Sequence, residues 1–384
     1  MSRYGTSRPA PRHSSGGSRG TVQKAARRGA SWDTQEIDRY NVVDRDIYSS
    51  SSRRRSVRQA RKRGGCAKKL FTLLLVLVLL AAAGGFLYFH IMASRLNRSG
   101  DVTSSELQQY VQLPSGTPAW SADSARNILL LGVDENEDGT DGRSDTNMMI
   151  SVDSKSKTLR LVSFLRDSYL EIPTVGKRKL NYAYAKGGVA MTMGTLITNY
   201  QVDMDRYVSV NFENFANVID KMGGLDVPMS KSACYYVNKN MGTHLKAGTN
   251  HLNGKLCLYY ARVRDASDKF GSNDYGRTGR QRQVVQLMIQ KIKSMNLIDA
   301  HKVLYDYLPY VKTNLTDGEL LSLAAIAPSL SDYKMETMQV PAPNTFDDSA
   351  KVNGENVITL DLDQNRTLLH EFLSGGASGE NSQK

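Results

Sequence analysis

The 384-residue chain carries 50 Lys/Arg against 38 Asp/Glu, a formal net charge of +12. The excess is confined to one end: residues 1–69 hold 18 basic and 5 acidic side chains, and the remainder holds 32 and 33. A body so close to neutral excludes a basic nucleic-acid-binding domain, and no nucleic-acid partner is expected.

Residues 1–69 are rich in Ser, Gly and Arg and poor in apolar side chains, so they read as a disordered basic tail. The tail serves as a topology determinant and solvated linker, or it is drawn to anionic inner-leaflet lipids. Residues 70–89 then run without a charge. Twenty helical residues span roughly 30 Å, the hydrocarbon thickness of a bilayer, and a transmembrane helix is expected over 70–92. Arg61, Lys62, Arg63, Lys68 and Lys69 precede this run, and only Arg95 and Arg98 closely follow it. That bias predicts a single-pass protein of the cell membrane with a cytoplasmic N-terminus and an extracytoplasmic C-terminal domain. A cleaved signal peptide fits poorly, because the segment starts late and its apolar core is long.

Residues 93–125 carry Pro114, Pro118 and scattered Ser and Gly, and read as a stalk. From 126 to 374 strand-like and helix-like stretches alternate, as in one α/β domain with a substantial core. Strands are expected at 127–133, 158–165 and 205–211, and helices at 189–200, 212–222 and 280–295. Gly223 and Gly224 are suited to closing the helix at 212–222. Residues 375–384 read as a flexible C-terminal tail. Cys234 and Cys257 both fall outside the membrane, where a bridge is chemically possible; two buried free thiols are the simpler reading. No spacing resembles a zinc site.

Two polar clusters carry the chemistry. The first is the acidic loop 134–145, with Arg143 embedded in it. Counted from Asp134 it partly follows an EF-hand: Asn136, Asp138, Gly139 and Asp145 fall on its positions. Asp141 stands where an apolar residue is usual, however, and strands rather than helices flank the loop. A site at the edge of a sheet, holding a buried Arg143, fits better. The second cluster runs from Arg262 and Arg264 to Arg277, Arg280 and Arg282, five arginines in 21 residues. Arg262 and Arg264 read as alternate residues of a strand, facing one side. Arg277 and Gln281, four apart at a helix start, share a face and sit where backbone amides attract phosphate. Arg280 and Arg282 then point elsewhere. Carboxylates for a hard cation and guanidinium forks for phosphate oxygens are what a pyrophosphate site requires. A lipid attached to that pyrophosphate needs an apolar cleft. Met191, Met193, Leu196 and Ile197 are weighed for it, against an ordinary core role.

The outer domain resembles the LytR-CpsA-Psr family of bacterial cell-wall proteins. The resemblance rests on Leu130-Leu-Gly-Val-Asp134, Gly142-Arg-Ser-Asp-Thr-Asn147, Val162-Ser-Phe-Leu-Arg-Asp167, Lys179-Leu-Asn-Tyr-Ala-Tyr-Ala-Lys-Gly-Gly188, Gly223-Gly-Leu-Asp226, Tyr260-Ala-Arg-Val-Arg264 and Asp274-Tyr-Gly-Arg277, with Gln281 beyond. It implies a three-layer α-β-α domain around a central mixed sheet. It also implies transfer of a glycopolymer phosphate from an undecaprenyl-pyrophosphate carrier to a muramic-acid hydroxyl of peptidoglycan. The sequence leaves open which polymer is moved: teichoic acid, capsule or another secondary wall glycan. By motif position, Asp134 and Asp145 would hold Mg²⁺ (or Mn²⁺). Arg143, Arg166, Arg262, Arg264, Arg277 and Gln281 would grip the pyrophosphate. Asp134, Arg143, Asp145, Arg166 and Asp274 would make up the catalytic set, with Asp274 or Asp167 placed to accept a proton.

The stretch 265–276 is longer than such proteins lead one to expect, and reads as a mobile loop that shapes acceptor specificity. Two other functions share the same residues: a polyprenyl-pyrophosphate hydrolase, with water as acceptor, and a non-catalytic lipid- or glycan-binding envelope protein. A transcriptional role has no support, because no helix-turn-helix pattern occurs and the domain is expected outside the cell.

Overall fold

Asn127-Ile-Leu-Leu-Leu-Gly-Val133 is nearly continuous in apolar residues, as a strand covered on both faces must be. It forms the middle of β1 (Ala125–Asp134) at the heart of the computed structural model. The structure describes residues 64–98, 102–122, 124–134 and 142–376. The N-terminal tail expected to be disordered, the inner EF-hand-like positions of the acidic loop and the C-terminal tail beyond 376 lie outside the described residues.

The chain enters through α1 (Gly64–Ala93), in which 71–93 is long and apolar enough to cross a membrane. The next segment is not a free stalk. Its short helix α2 (Ser104–Gln109) packs on the domain, and Val102 and Leu107 are buried in the main core. Gln112 N donates to Thr198 Oγ1 at 2.9 Å, Trp120 N donates to Gln201 O at 2.7 Å, and the Trp120 ring stacks on His370. Apolar side chains among the prolines and serines pull this segment onto the body.

β1 pairs antiparallel with β2 (Arg143–Asp153), which pairs antiparallel with β3 (Thr158–Phe164). A small hairpin follows, β4 (Tyr169–Ile172) and β5 (Gly176–Lys179), then α3 (Leu180–Tyr200). α3 is broken at Gly187-Gly188, where Gly188 takes φ +58°, a left-handed conformation that glycine adopts without a Cβ penalty. β6 (Arg206–Asn211) joins β1 in parallel and leads into α4 (Phe212–Lys221), capped by Asn211 Oδ1 accepting from Asn214 N. The hairpin β7 (Leu225–Met229) and β8 (Gly248–Leu252) brackets α5 (Lys231–Met241). Then come α6 (Gly254–Arg262), α7 (Asn273–Ser294), α8 (Leu297–Tyr307), β9 (Lys312–Thr313), α9 (Asp317–Ile326), β10 (Lys334–Val340) and α10 (Leu362–Ser374).

The six-stranded sheet has the order β10-β3-β2-β1-β6-β9 and is mixed, parallel only at β10/β3 and β1/β6. Alternation along β1 sends Leu129, Leu131 and Val133 into a core with α3 and α10. Leu130 and Gly132 face the other layer, α4, α6 and α7. This is the expected three-layer α-β-α arrangement. A second core forms where the β7/β8 hairpin, α5, α6 and α7 meet, around Val227, Val237, Tyr260 and Val284. Cys234 and Cys257 belong to it as free buried thiols, and burial pushes the Cys257 thiol up to about 12.

Candidate active site

The site lies at the end of the sheet where β1 and β2 meet the acidic loop. Asp134 is the last residue of β1 and pairs in register with Arg143, the first of β2. The register then slips: Gly132 faces Thr146 and Val133 faces Ser144. Asp145 is therefore the extra residue of a β-bulge, a device that re-aims a side chain at a sheet margin. Its Oδ1 accepts a hydrogen bond from Nη1 of Arg166, just beyond β3.

Arg166 is the first of several cations gathered here. Its Nε lies 3.5 Å from Asp167 Oδ2 and 3.7 Å from Asp274 Oδ1. Asp274 stands in the first turn of α7, where a carboxylate suits the helix dipole. It is the hub of the cluster. Arg277 Nη2 approaches its two oxygens at 2.7 and 2.9 Å, and Arg264 Nε lies 3.7 Å away. Burial raises the Asp274 carboxyl above its ordinary value, and the surrounding guanidiniums only partly oppose this. Burial likewise pushes Arg277 down to about 10, which leaves it cationic at neutral pH. The Nε atoms of Arg166 and Arg277 are buried without a hydrogen-bond partner. Orphaned buried donors are uncommon, and both belong to guanidiniums beside Asp274.

One face of α7 links this cluster to an apolar cavity. Asp274, Arg277, Gln281, Val284, Val285, Met288 and Ile292 follow at helical spacing. From Gln281 onward they line a cavity of about 410 Å³ between the sheet and α4, α6 and α7. Tyr307, Tyr310 and Val311 close its far wall. Arg262 and Gln281 stand at its polar end. The Arg262 guanidinium lies over the Phe212 ring at 4.2 Å, and its Nη2 is 3.8 Å from Asp134 Oδ2.

Several expectations need correction. Arg262 and Arg264 do not lie on a strand. Arg262 ends α6, whose start is capped by Asn253 Oδ1, and extended Val263 separates it from Arg264. The two arginines therefore serve different carboxylates. Arg143 is exposed rather than buried, because the bulge sets its face. The extra segment 265–276 is pinned from within. Buried Arg280 donates to Val263 O at 2.6 Å and pairs with Asp268 at 2.8 Å, and the Phe270 side chain lies against Gly279 so closely that a Cβ there would meet it at 2.6 Å. Arg282 turns away to Gln339 Oε1. Met191, Met193, Leu196 and Ile197, in contrast, take the ordinary core role favoured for them, on the opposite side of the sheet. The cavity wall lies partly in apolar positions of α7 and partly in residues at and beyond the end of α8 that no motif marks. Phe212 was also missed; its place just after β6 and beside β1 is a three-dimensional fact.

No group of three or more His, Cys, Asp or Glu side chains is arranged around a metal position among the described residues. Asp134 and Asp145 offer two carboxylates at one sheet end. That donor set suits Mg²⁺, which binds through one or two carboxylates and completes its shell with phosphate oxygens and water.

A cluster of guanidiniums gathered around the buried Asp274, beside an apolar cavity, is carried on a chain with a membrane-length helix. The chain belongs to the LytR-CpsA-Psr family: the family model LytR_cpsA_psr matches residues 90–371. Among its relatives, polyisoprenyl-teichoic acid–peptidoglycan teichoic acid transferase TagV of Bacillus subtilis (strain 168) is 33% identical over 227 residues, 57% of each chain. The chain thus spans little more than half of that relative. The transferase TagU of Bacillus licheniformis is 37% identical over 233 residues, 59% of this chain and 70% of TagU. The structure of TagT of B. subtilis with bound octaprenyl pyrophosphate lipid aligns with a TM-score of 0.51 at 26% identity, covering 69% of this chain and 98% of TagT.

Proposed function

We propose that this protein is a membrane-anchored phosphotransferase. It moves a glycopolymer phosphate from undecaprenyl pyrophosphate to a muramic-acid hydroxyl of peptidoglycan, with its domain on the outer face of the cell membrane. One observation supports the reading: Arg262 and Gln281 stand at the polar end of an apolar cavity, and one helical turn before Gln281 on the same face of α7 lies buried Arg277, whose Nε has no hydrogen-bond partner. The names of TagV and TagU and the lipid bound to TagT support the same chemistry.

The isoprenoid lies in the cavity along Val284, Val285 and Met288. Its pyrophosphate meets Arg262 and Gln281 first, then Arg277, Arg166 and Arg264. Planar forks bind phosphate oxygens two at a time and stay charged. They neutralise the charge that grows on the bridging oxygen as the lipid phosphate departs. Asp274 is a positioning residue: it holds three guanidiniums at fixed spacing that would otherwise repel one another. Asp134 and Asp145 would hold the cation, which supplies further neutralisation of the leaving phosphate when bound. The exposed Arg143 stands beside them at the sheet end.

The test is product analysis with full-length protein in detergent and a lipid-linked polymer. Transfer yields lipid monophosphate together with a polymer–glycan phosphodiester, and only when glycan is added. Release of polymer phosphate without glycan would make the protein a hydrolase. Lipid binding without any turnover would make it a non-catalytic binder.

A further inference from the structure

A second cavity, of about 330 Å³, adjoins the arginine cluster from the other side. It shares Asp167 and Asp274 with that cluster, and Tyr275, Phe346, Asp348 and Asn356 are also in its lining. The 346–360 segment that builds its outer part is anchored to the catalytic layer. Ile358 N donates to Asp167 O at 2.9 Å, and Tyr169 N donates to Ile358 O at 2.8 Å. Phe346–Asp347 pairs with Thr359–Leu360, and the excursion between them folds as a tight hairpin turning at Asn353-Gly354. The Tyr275 and Phe346 rings stack, 5.9 Å between centroids and 19° between planes.

Taking the transferase reading as given, we infer that this cavity is the acceptor subsite, which receives the N-acyl amino sugar carrying the attacking hydroxyl. Asp274 and Gln281 occupy one face of α7, and seven residues of helix separate them by roughly 10 Å. Asp274 faces the second cavity, Gln281 faces the apolar cavity, and Arg277 lies between. In phosphoryl transfer the attacking and leaving oxygens stand in line across the phosphorus. The leaving lipid phosphate points toward the apolar cavity. The attacker must therefore arrive from the opposite end, where the second cavity opens. The acceptor oxygen bonds to the polymer-side phosphorus, the bridging P–O bond breaks, its electron pair stays with the lipid phosphate, and the hydroxyl proton leaves on the lipid monophosphate.

The lining suits a sugar rather than a second lipid or anion. An aromatic flank packs against the apolar face of a pyranose. Carboxylates and an amide accept and donate hydrogen bonds to hydroxyl and acetamido groups. Asp348 and Asp167 repel a free phosphate, so the polymer's own phosphate is kept on the arginine side.

The experiment uses full-length protein in detergent, a short N-acetylated glycan oligosaccharide as acceptor, a polyprenyl-pyrophosphate-linked polymer as donor for turnover, and bare polyprenyl pyrophosphate as the binding probe for the donor site. Tyr275→Ala and, separately, Asp348→Asn are compared with the parent. Each variant is expected to weaken glycan binding, read by saturation-transfer NMR, about tenfold, a loss of about 1.4 kcal/mol. Affinity for polyprenyl pyrophosphate stays within about twofold of the parent, and the acceptor KM rises while kcat at saturating glycan changes less than about threefold. Unchanged glycan binding in both variants would overturn the assignment. So would a rise in the donor KM with the acceptor KM unmoved, which would give the cavity to the donor's sugar. Because glycan binding is read without turnover, a parent protein that binds glycan here but transfers nothing would sink the transferase reading and leave the subsite standing.

Discussion

Arg277→Lys is the sharpest perturbation of the proposed pyrophosphate grip. Arg277 is 3% exposed and meets both oxygens of Asp274, at 2.7 and 2.9 Å, through Nη2 alone. Its Nε is left buried and unpartnered, free for a phosphate oxygen. Lysine keeps the charge beside Asp274 but has no second arm and a shorter reach. The variant therefore loses at least one charge-assisted hydrogen bond to ligand, worth about 1.5–3 kcal/mol, or roughly 10- to 150-fold in affinity. Stability should change less, since the buried Asp274 keeps a cationic partner and Arg166 and Arg264 remain. The assay is titration with a water-dispersible polyprenyl pyrophosphate, with thermal unfolding in parallel. Parental affinity in a folded Arg277→Lys variant would refute the claim that this fork grips the ligand. So would equal losses for the pyrophosphate and for a neutral isoprenoid alcohol.

Asp145→Ala should remove the dependence of turnover on added Mg²⁺ along with most activity; a Mg²⁺ titration of the variant checks it, and parental turnover in EDTA-treated variant would contradict the metal assignment. Val285→Trp puts an indole into the apolar cavity and should cut lipid bound after purification at least tenfold, as counted by mass spectrometry, with little change in unfolding temperature. Burial raises Asp153 and Glu319, but bonds from Ser156 to Asp153 and from Arg206 to Glu319 outweigh it and bring both carboxyls to about 2. Depressed carboxyls stabilise the fold above their ordinary range and lose that contribution as pH falls toward 2. Glu319→Gln should thus flatten the loss of stability between about pH 5 and pH 2, measured by urea unfolding.

The parts of the fold that sequence exposes are those fixed by local pattern. The continuous apolar run of β1 and the spacing along α4 and α7 specify their elements, as does the Gly223-Gly224 stop. Asp134, Asp145, Arg166, Arg262, Arg264, Asp274, Arg277 and Gln281 do gather at one sheet end. The errors come from contacts that no local pattern holds. Tyr-Tyr-Ala-Arg-Val-Arg reads as a strand, yet the Asn253 cap makes its first part a helix, and only Val263 is extended. The bulge at Asp145 shifts faces by one residue and exposes Arg143, and nothing in the composition of β2 announces it. Leu107 and Trp120 look like stray apolar residues of a linker until α3 and His370 are placed against them. The apolar cavity needs α7, Tyr307 and Tyr310 at once, and so is legible only in three dimensions.

The most direct test of the central claim is crystallographic density for the protein soaked with polyprenyl pyrophosphate. The account predicts a diphosphate bound by Arg277 and Arg262, with its isoprenoid running along Val284 and Met288. An empty cavity at saturating lipid, or a diphosphate bound away from these arginines, would contradict it.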